Sequence, residues 1–182
     1  MEAINYLLRF FFEALTTLFI LRFWLQAARA DFYNPLSQFV VKLTNPFVVP
    51  LRRVIPGLGG YDLATLLLAV LVSTLEFIII PMLNGGPFKP GLASYLGLIS
   101  LIKQAGFLLF IIMLVMAIMS WVVQGYNPTM MVFQQLTEPF LRPIRKITPD
   151  LGGIDISIII AFLALNVINI LLGSSVPYWA IL

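Results

Sequence analysis

The chain has 182 residues, of which 60% are hydrophobic and only 10% are charged, with a net charge of +3. A soluble domain carries roughly 25% charged residues, so this composition excludes an ordinary soluble protein. It contains no cysteine and no histidine, which excludes a disulfide framework, thiolate chemistry and the commonest catalytic base and metal ligand. The charges lie beside apolar runs, a pattern that suits a membrane surface better than nucleic acid.

Four apolar stretches are long enough to span a bilayer, which takes about 20 helical residues. We predict spans at residues 5–30, 62–83, 105–123 and 155–172, with residues 92–104 either extending the third span or lying at the interface. The first stretch does not resemble a cleaved signal peptide, because it has no basic start and does not end in a small-x-small site. The predicted fold class is an all-α membrane protein with four transmembrane helices.

Residues 33–62 are repeated at residues 126–155, at a constant offset of 93 and with fourteen of thirty positions identical. The duplication predicts two tandem repeats, residues 1–91 and 92–182, each built as span, linker and span. Since each repeat has two spans, both copies enter the membrane in the same direction and the repeats are parallel.

Each linker (residues 34–61 and 127–154) is predicted to begin with a short amphipathic helix in the membrane interface. An Asn-Pro pair starts each helix, because Asn caps free N–H groups and Pro fits the first helical position; the pairs are Asn34-Pro35 and Asn127-Pro128. The next prolines, Pro46 and Pro139, are expected to stop or kink the helix after about 11 residues, roughly 16 Å. Such a helix is too short to span and suits the interface.

A Gly-Gly-x-Asp sequence ends each linker: Gly59-Gly60-x-Asp62 and Gly152-Gly153-x-Asp155. Glycine permits positive φ, and we expect each aspartate to cap the span that follows and to meet the positive end of its dipole. The alternative is a cation or proton site formed by the two aspartates.

A basic pair precedes each of these turns, namely Arg52-Arg53 and Arg145-Lys146. Guanidinium groups suit phosphate oxygens, so the pairs form a candidate site for lipid headgroups or an anionic membrane partner. The alternative is that they only determine topology. Basic residues are concentrated in the linkers, which places both linkers in the cytoplasm and both termini on the far side.

Polar residues within the spans form a second candidate site. Glu76 is a carboxylate in an apolar span, which suggests a functional role by default, and it aligns with Asn169 at the offset of 93. Ser73 likewise aligns with Asn166, so both second spans carry a polar face that we expect to point inward. Arg22 lies on the opposite side of its helix from Glu13 and needs another partner, for which Glu76 is a candidate. Either these side chains form an ion or proton pathway, or they only hold the helices together.

The linker motif is N-P…L-T-x-P-F-x-x-P-[LI]-R-[RK]-[VI]-x-P-x-L-G-G-x-D, and on it the chain resembles the YggT family of small membrane proteins. The motif also includes Thr44 and Pro50 in the first copy and Thr137 and Pro143 in the second. The resemblance implies no enzymatic activity. It implies a role in osmotic or ion tolerance, as in bacterial members that lie in cell-division gene neighbourhoods, or in assembly of a cytochrome complex, as in plastid relatives. The late arginine of the first span, Arg22, has no counterpart in the second copy.

The sequence therefore predicts a non-enzymatic protein of the plasma or inner membrane, without cofactor or metal. It would support membrane and osmotic homeostasis, or the assembly of another membrane complex, through its basic linkers. The expected partners are the lipid bilayer with its anionic headgroups and a membrane protein or a second copy of the chain, and not nucleic acid. The alternative function is an oligomeric channel or transporter for a small cation.

Overall fold

The computed structural model describes residues 1–122, 125–148 and 155–182, and over these residues it is all-helical. The α-helices are α1 (Glu2–Ala27), α2 (Pro35–Arg52), α3 (Leu63–Leu83), α4 (Pro90–Val122), α5 (Pro128–Arg145) and α6 (Ile156–Ser175), followed by a single 3-10 turn, Trp179–Ile181.

Four of these helices, α1, α3, α4 and α6, are long and apolar enough to cross a bilayer, which confirms the predicted all-α protein with four candidate membrane-spanning helices. The 33 residues of α4 correspond to about 50 Å at 1.5 Å per residue. Residues 92–104 therefore belong to the same continuous helix as the predicted third span.

The core of the bundle is formed by α1, α3 and α4. α3 packs along both of its neighbours, and Phe19, Ala69 and Leu101 meet in one buried cluster. α3 and α4 approach closely where a Cβ on Gly97 would lie 2.8 Å from the Thr74 backbone, as small residues permit between membrane helices. There the Ser73 hydroxyl donates to the Gly97 carbonyl at 2.8 Å.

The expectation that the linker helices stop or kink at Pro46 and Pro139 after about 11 residues is wrong about their length. α2 has 18 residues and continues through Pro46 and Pro50, and α5 has 18 residues and continues through Pro139 and Pro143. A proline removes one N–H and crowds the carbonyl four residues earlier. In α2, the carbonyl affected by Pro46 is that of Lys42. Nη1 of Arg22, which reaches across from α1, donates to the neighbouring Val41 carbonyl and to the Thr44 hydroxyl.

The buried face of α2 is not formed by its largest apolar side chains. Its fully buried positions are Ser37, Val40, Thr44 and Val48. The large side chains Phe39, Leu43 and Phe47 instead lie on the outside, 43–58% exposed. The buried face joins the core, because Val40 shares an apolar cluster with Leu25 of α1, Ile112 of α4, and Val132 and Leu136 of α5.

Candidate functional site at the linker ends

The last residue of α2 and the residue before α3 form an ion pair. Arg52 donates from both Nε, at 3.1 Å, and Nη2 to Oδ2 of Asp62. The same carboxylate accepts from the backbone N–H and the hydroxyl of Thr65, so Asp62 is the N-cap of α3. Nη2 of Arg52 also donates to Gln26 of α1 at 2.9 Å. The linker is thereby tied to both spans that it connects.

Asp62 is only 2% exposed. Burial by itself raises the pKa of its carboxyl, but the hydrogen bonds from Arg52 and Thr65 outweigh burial, and the pKa lies below the usual aspartate value. The carboxylate therefore stays ionised in its buried position, held by a cation and by helix N–H groups.

The second linker end repeats this arrangement. Arg145 donates from Nε at 3.1 Å and from Nη2 at 2.7 Å to Oδ2 of Asp155, which caps α6 through the backbone N–H of Ser157 at 3.1 Å. Here Glu138 takes the remaining nitrogen, Nη1, at 2.8 Å. Burial again raises the pKa of Asp155, and hydrogen bonds from Ser157 and Arg145 bring it below the usual value.

Arg22 organises the first linker and not the second. Its side chain is 4% exposed, and its Nη1 donates to the Thr44 hydroxyl at 2.6 Å, to Oδ1 of Asn45 at 2.9 Å and to the Val41 carbonyl at 3.3 Å. Pairing of Arg22 with Glu76 was therefore the wrong expectation. At the offset of 93, valine replaces this arginine and Glu138 replaces Asn45, which leaves Glu138 free to bond Arg145.

The second member of each basic pair points away from these networks. Arg53 and Lys146 are exposed, and neither lies within 4.0 Å of an acidic group in the described part of the chain. Lys42 and Arg142 share both properties. These four cations lie at the same end of the bundle as the exposed aromatic side chains of α2.

Glu76 lies in α3 with its side chain 7% exposed, and its cationic neighbour is Nε of Arg9 at 3.9 Å, on an arginine that is 64% exposed. Arg9 thus faces Glu76 across the gap between α1 and α3, and not Glu13 one turn along its own helix. A separation of 3.9 Å is too long for a hydrogen bond, so the two charges attract across a gap.

The corresponding polar residues of α6 do not point inward as expected. Asn166 and Asn169 are exposed; the first donates to the carbonyl of Phe162 in its own helix at 3.2 Å, and the second accepts from the indole N–H of Trp179 at 2.9 Å. Neither meets Arg22 or Glu76. The structure therefore does not bring the four intramembrane polar residues together.

The remaining motif residues act locally. Asn34 and Asn127 cap α2 and α5 through the N–H groups two or three residues later. Gly59 and Gly60 have φ of 62° and 88°, the left-handed region that glycine occupies without strain. Gly152 and Gly153 lie outside the described residues. Among the residues that are described, no cluster of three acidic side chains suits a metal ion.

The Arg-Asp pairs were the feature that sequence reasoning missed. Arginine and aspartate recur ten residues apart at the two ends of each proline-rich turn, and this shared spacing was the available signal. The sequence predicted that Arg52 and Arg145 bind lipid phosphate or an anionic partner. In the structure, each guanidinium instead binds the aspartate at the end of its own linker.

Comparison with known proteins finds a family model described as CCB3/YggT that matches residues 1–83 and 95–176. A Vibrio alginolyticus protein from the region 3′ of proC is 47% identical over 182 residues, covering 98% of both chains. YggT of Escherichia coli K12 is 47% identical over 169 residues, 93% of this chain and 88% of its own. A Pseudomonas aeruginosa protein, PA0392, is 46% identical over 156 residues, 84% of this chain and 79% of its own. No solved structure matches.

Proposed function

We propose that this chain, which belongs to the CCB3/YggT family, is a non-enzymatic integral membrane protein whose two linkers engage anionic headgroups or a membrane partner. Through them it supports membrane and osmotic homeostasis or the assembly of another membrane complex. The observation that carries this proposal is that the two residues of each basic pair have different surroundings. Arg52 and Arg145 fix the linker through their aspartates, while Arg53 and Lys146 are exposed.

The proposed architecture is two parallel repeats with α2 and α5 in the membrane interface. In support, α2 and α5 begin and end 93 residues apart. Phe39, Leu43 and Phe47 expose apolar surface beside exposed cations, the composition of an interfacial helix. The excess of Lys and Arg in the linkers favours a cytoplasmic position for them in the plasma or inner membrane, with both termini on the far side.

The double substitution Arg53→Gln/Lys146→Gln tests the proposal. Each cation near an anionic surface contributes about 1 kcal/mol, so losing two is expected to weaken the preference of the linkers for anionic lipid by about tenfold or more. A dye on Tyr33→Cys, which is 88% exposed before α2, would report energy transfer to headgroup-labelled phosphatidylglycerol or phosphatidylcholine in reconstituted vesicles. The chain has no other cysteine.

Lys89→Gln is the matched control, since Lys89 is an exposed cation in the loop at the opposite end of the bundle. It should leave the energy transfer unchanged. An unchanged lipid preference in the double variant, together with normal complementation of a deletion strain under osmotic stress, would remove the basis for the proposal.

A second candidate function is an oligomeric pathway for a small cation. The observation that favours it is the buried carboxylate of Glu76, whose cationic neighbour remains at 3.9 Å. A charged side chain within a span is costly, and those that occur usually have a function. Glu76→Gln is then expected to abolish cation flux into proteoliposomes at unchanged expression. Arg9→Gln removes the neighbouring cation and should raise the flux or leave it unchanged. Absence of flux from the wild-type protein under an imposed gradient would count against this function.

A further inference from the structure

Two opposite charges, those of Glu13 and Lys103, lie within the spans at the same level of the bundle. The amide of Gln104 in α4 donates at 2.9 Å to the backbone carbonyl of Glu13 in α1, and at 3.0 Å to the hydroxyl of Thr17. Lys103 is the residue before Gln104, and Glu13 lies near the middle of α1. The acid and the cation therefore begin from backbone positions at a common depth.

A contact between α3 and α4 also places this level inside the bilayer. The hydroxyl of Ser73, at the middle of α3, bonds to the Gly97 carbonyl of α4. Lys103 follows Gly97 by six residues, about 9 Å at 1.5 Å per residue, whereas the hydrocarbon core extends about 15 Å to either side of its middle. Both charges thus lie in the hydrocarbon region, where an ionised side chain is costly and usually pairs with another polar group.

Neither charge has a counter-ion within the described part of its own chain. Glu13 is exposed, and no cation lies within 4.0 Å of its carboxylate, because Arg9 faces Glu76 instead. The ammonium of Lys103 donates to the Trp179 carbonyl at 2.9 Å and has no acidic group within 4.0 Å. Two of its three N–H donors remain for an acid.

The fold keeps the two charges apart within one copy. Leu101 packs into the buried cluster that joins α4 to α1 and α3, and Lys103, two residues later, lies about 160° around the helix. The side chain of Lys103 lines a cavity of about 360 Å³ between α4 and α6. It therefore faces away from α1, and a side chain that enters this cavity from outside can reach the ammonium.

A second copy of the chain supplies the missing partner for each charge. Copies of one chain carry the same bias of Lys and Arg residues and enter the membrane in the same direction. Glu13 of one copy then lies at the depth of Lys103 in its neighbour, with no shift along the bilayer normal. A partner chosen for charge alone would need an acid at this same depth, which the chain itself already provides.

Exposed apolar side chains border both charges. Tyr6 and Phe10 precede Glu13 by seven and three residues, so they lie on the same side of α1, and both are exposed. Ile102 and Phe107 are exposed beside Lys103 and line the same cavity. Contact between these two surfaces would surround the ion pair with apolar groups.

From charge and depth we infer that the protein self-associates in the membrane, with the Glu13 side of α1 in one copy against the Lys103 side of α4 in the next. Because the two surfaces differ, the contact is heterologous, and each copy uses its acid on one neighbour and its cation on another. The inference is independent of what the basic linkers bind.

Energy transfer between copies in vesicles measures this association. Copies labelled with a donor or an acceptor dye at Tyr33→Cys are mixed over a range of protein-to-lipid ratios. Glu13→Gln and Lys103→Gln should each weaken association by about tenfold, the effect of one polar contact between membrane helices. Lys89→Gln, which removes an exposed cation from the loop between α3 and α4, should leave the association unchanged.

A mixture of the two variants identifies the pair. When Glu13→Gln copies carry the donor and Lys103→Gln copies carry the acceptor, the first still offers Lys103 and the second still offers Glu13. Energy transfer in this mixture should therefore exceed that within either variant alone. A general loss of folding in the variants, which circular dichroism would detect, cannot produce such a gain.

A parent protein that shows no energy transfer between copies at any protein-to-lipid ratio would overturn the inference. An unchanged association of Lys103→Gln would do the same. So would a mixture of the two folded variants that associates no better than each variant by itself.

Discussion

Replacing Thr44 by valine and Asn45 by leucine together is expected to destabilise the protein by about 3–5 kcal/mol, because the pair of changes leaves the buried charge of Arg22 without most of its partners. Arg22 is 4% exposed. Of its three acceptors, only the Val41 carbonyl at 3.3 Å would remain. The free energy of unfolding can be measured from helicity during titration of mixed micelles with a denaturing detergent.

Adding Arg22→Val to the same background should restore most of the lost stability. The second repeat already combines valine at the corresponding position with a linker helix of the same length, so an apolar contact can replace the polar one. A buried polar cluster can be exchanged for apolar residues nearly neutrally when all partners are removed together.

Thr137→Val is the matched control in the second linker. The Thr137 hydroxyl donates at 2.8 Å to the Phe133 carbonyl of its own helix and has no arginine to hold, so the expected loss is below about 1 kcal/mol. If the Thr44/Asn45 double variant were as mild as Thr137→Val, or if Arg22→Val failed to rescue it, Arg22 would not be the residue that fixes α2.

The features of the fold that were predictable from the sequence depend on neighbours along the chain. Asn34 and Asp62 cap helices whose N–H groups lie two or three residues away, and spans follow from runs of apolar residues. The extension of α2 and α5 through Pro46 and Pro139 was not predictable in this way, since the residues after each proline are held by distant parts of the chain: Val48 and Leu141 pack into buried clusters with other helices.

The same distinction explains the errors at the candidate site. Helical periodicity places Glu76 and Asn169 at equivalent positions in their spans, but it does not say which neighbour each span has. α3 packs between α1 and α4, so Glu76 is buried, whereas α6 lies at the edge and Asn169 bonds to the C-terminal turn. The partner of Arg22 was likewise determined by the crossing of α1 over α2, which no local pattern records.

Asp62→Ala is expected to cost about 2–3 kcal/mol, of which the lost helix cap contributes about 1 kcal/mol. Most of the rest comes from the hydrogen bonds of Arg52, reduced because that side chain is 41% exposed. Asp155→Ala is the matched comparison. Its carboxylate is 36% exposed, so water replaces part of the pairing and the expected loss is about 1 kcal/mol. Equal losses in the two variants would show that burial of Asp62 adds nothing.

The pH dependence gives the same pair of charges a second test. Because the pKa of Asp62 is lower in the folded protein than in the unfolded chain, its contribution is complete above the unfolded value, about 3.9. It is lost as the pH falls through the folded value. Asp62→Asn keeps a capping side chain but cannot ionise, so its stability deficit relative to the wild type should be constant near neutrality and shrink in acid. A deficit that stayed constant down to pH 2 would mean that the Arg52–Asp62 charge pair does not stabilise the first linker end.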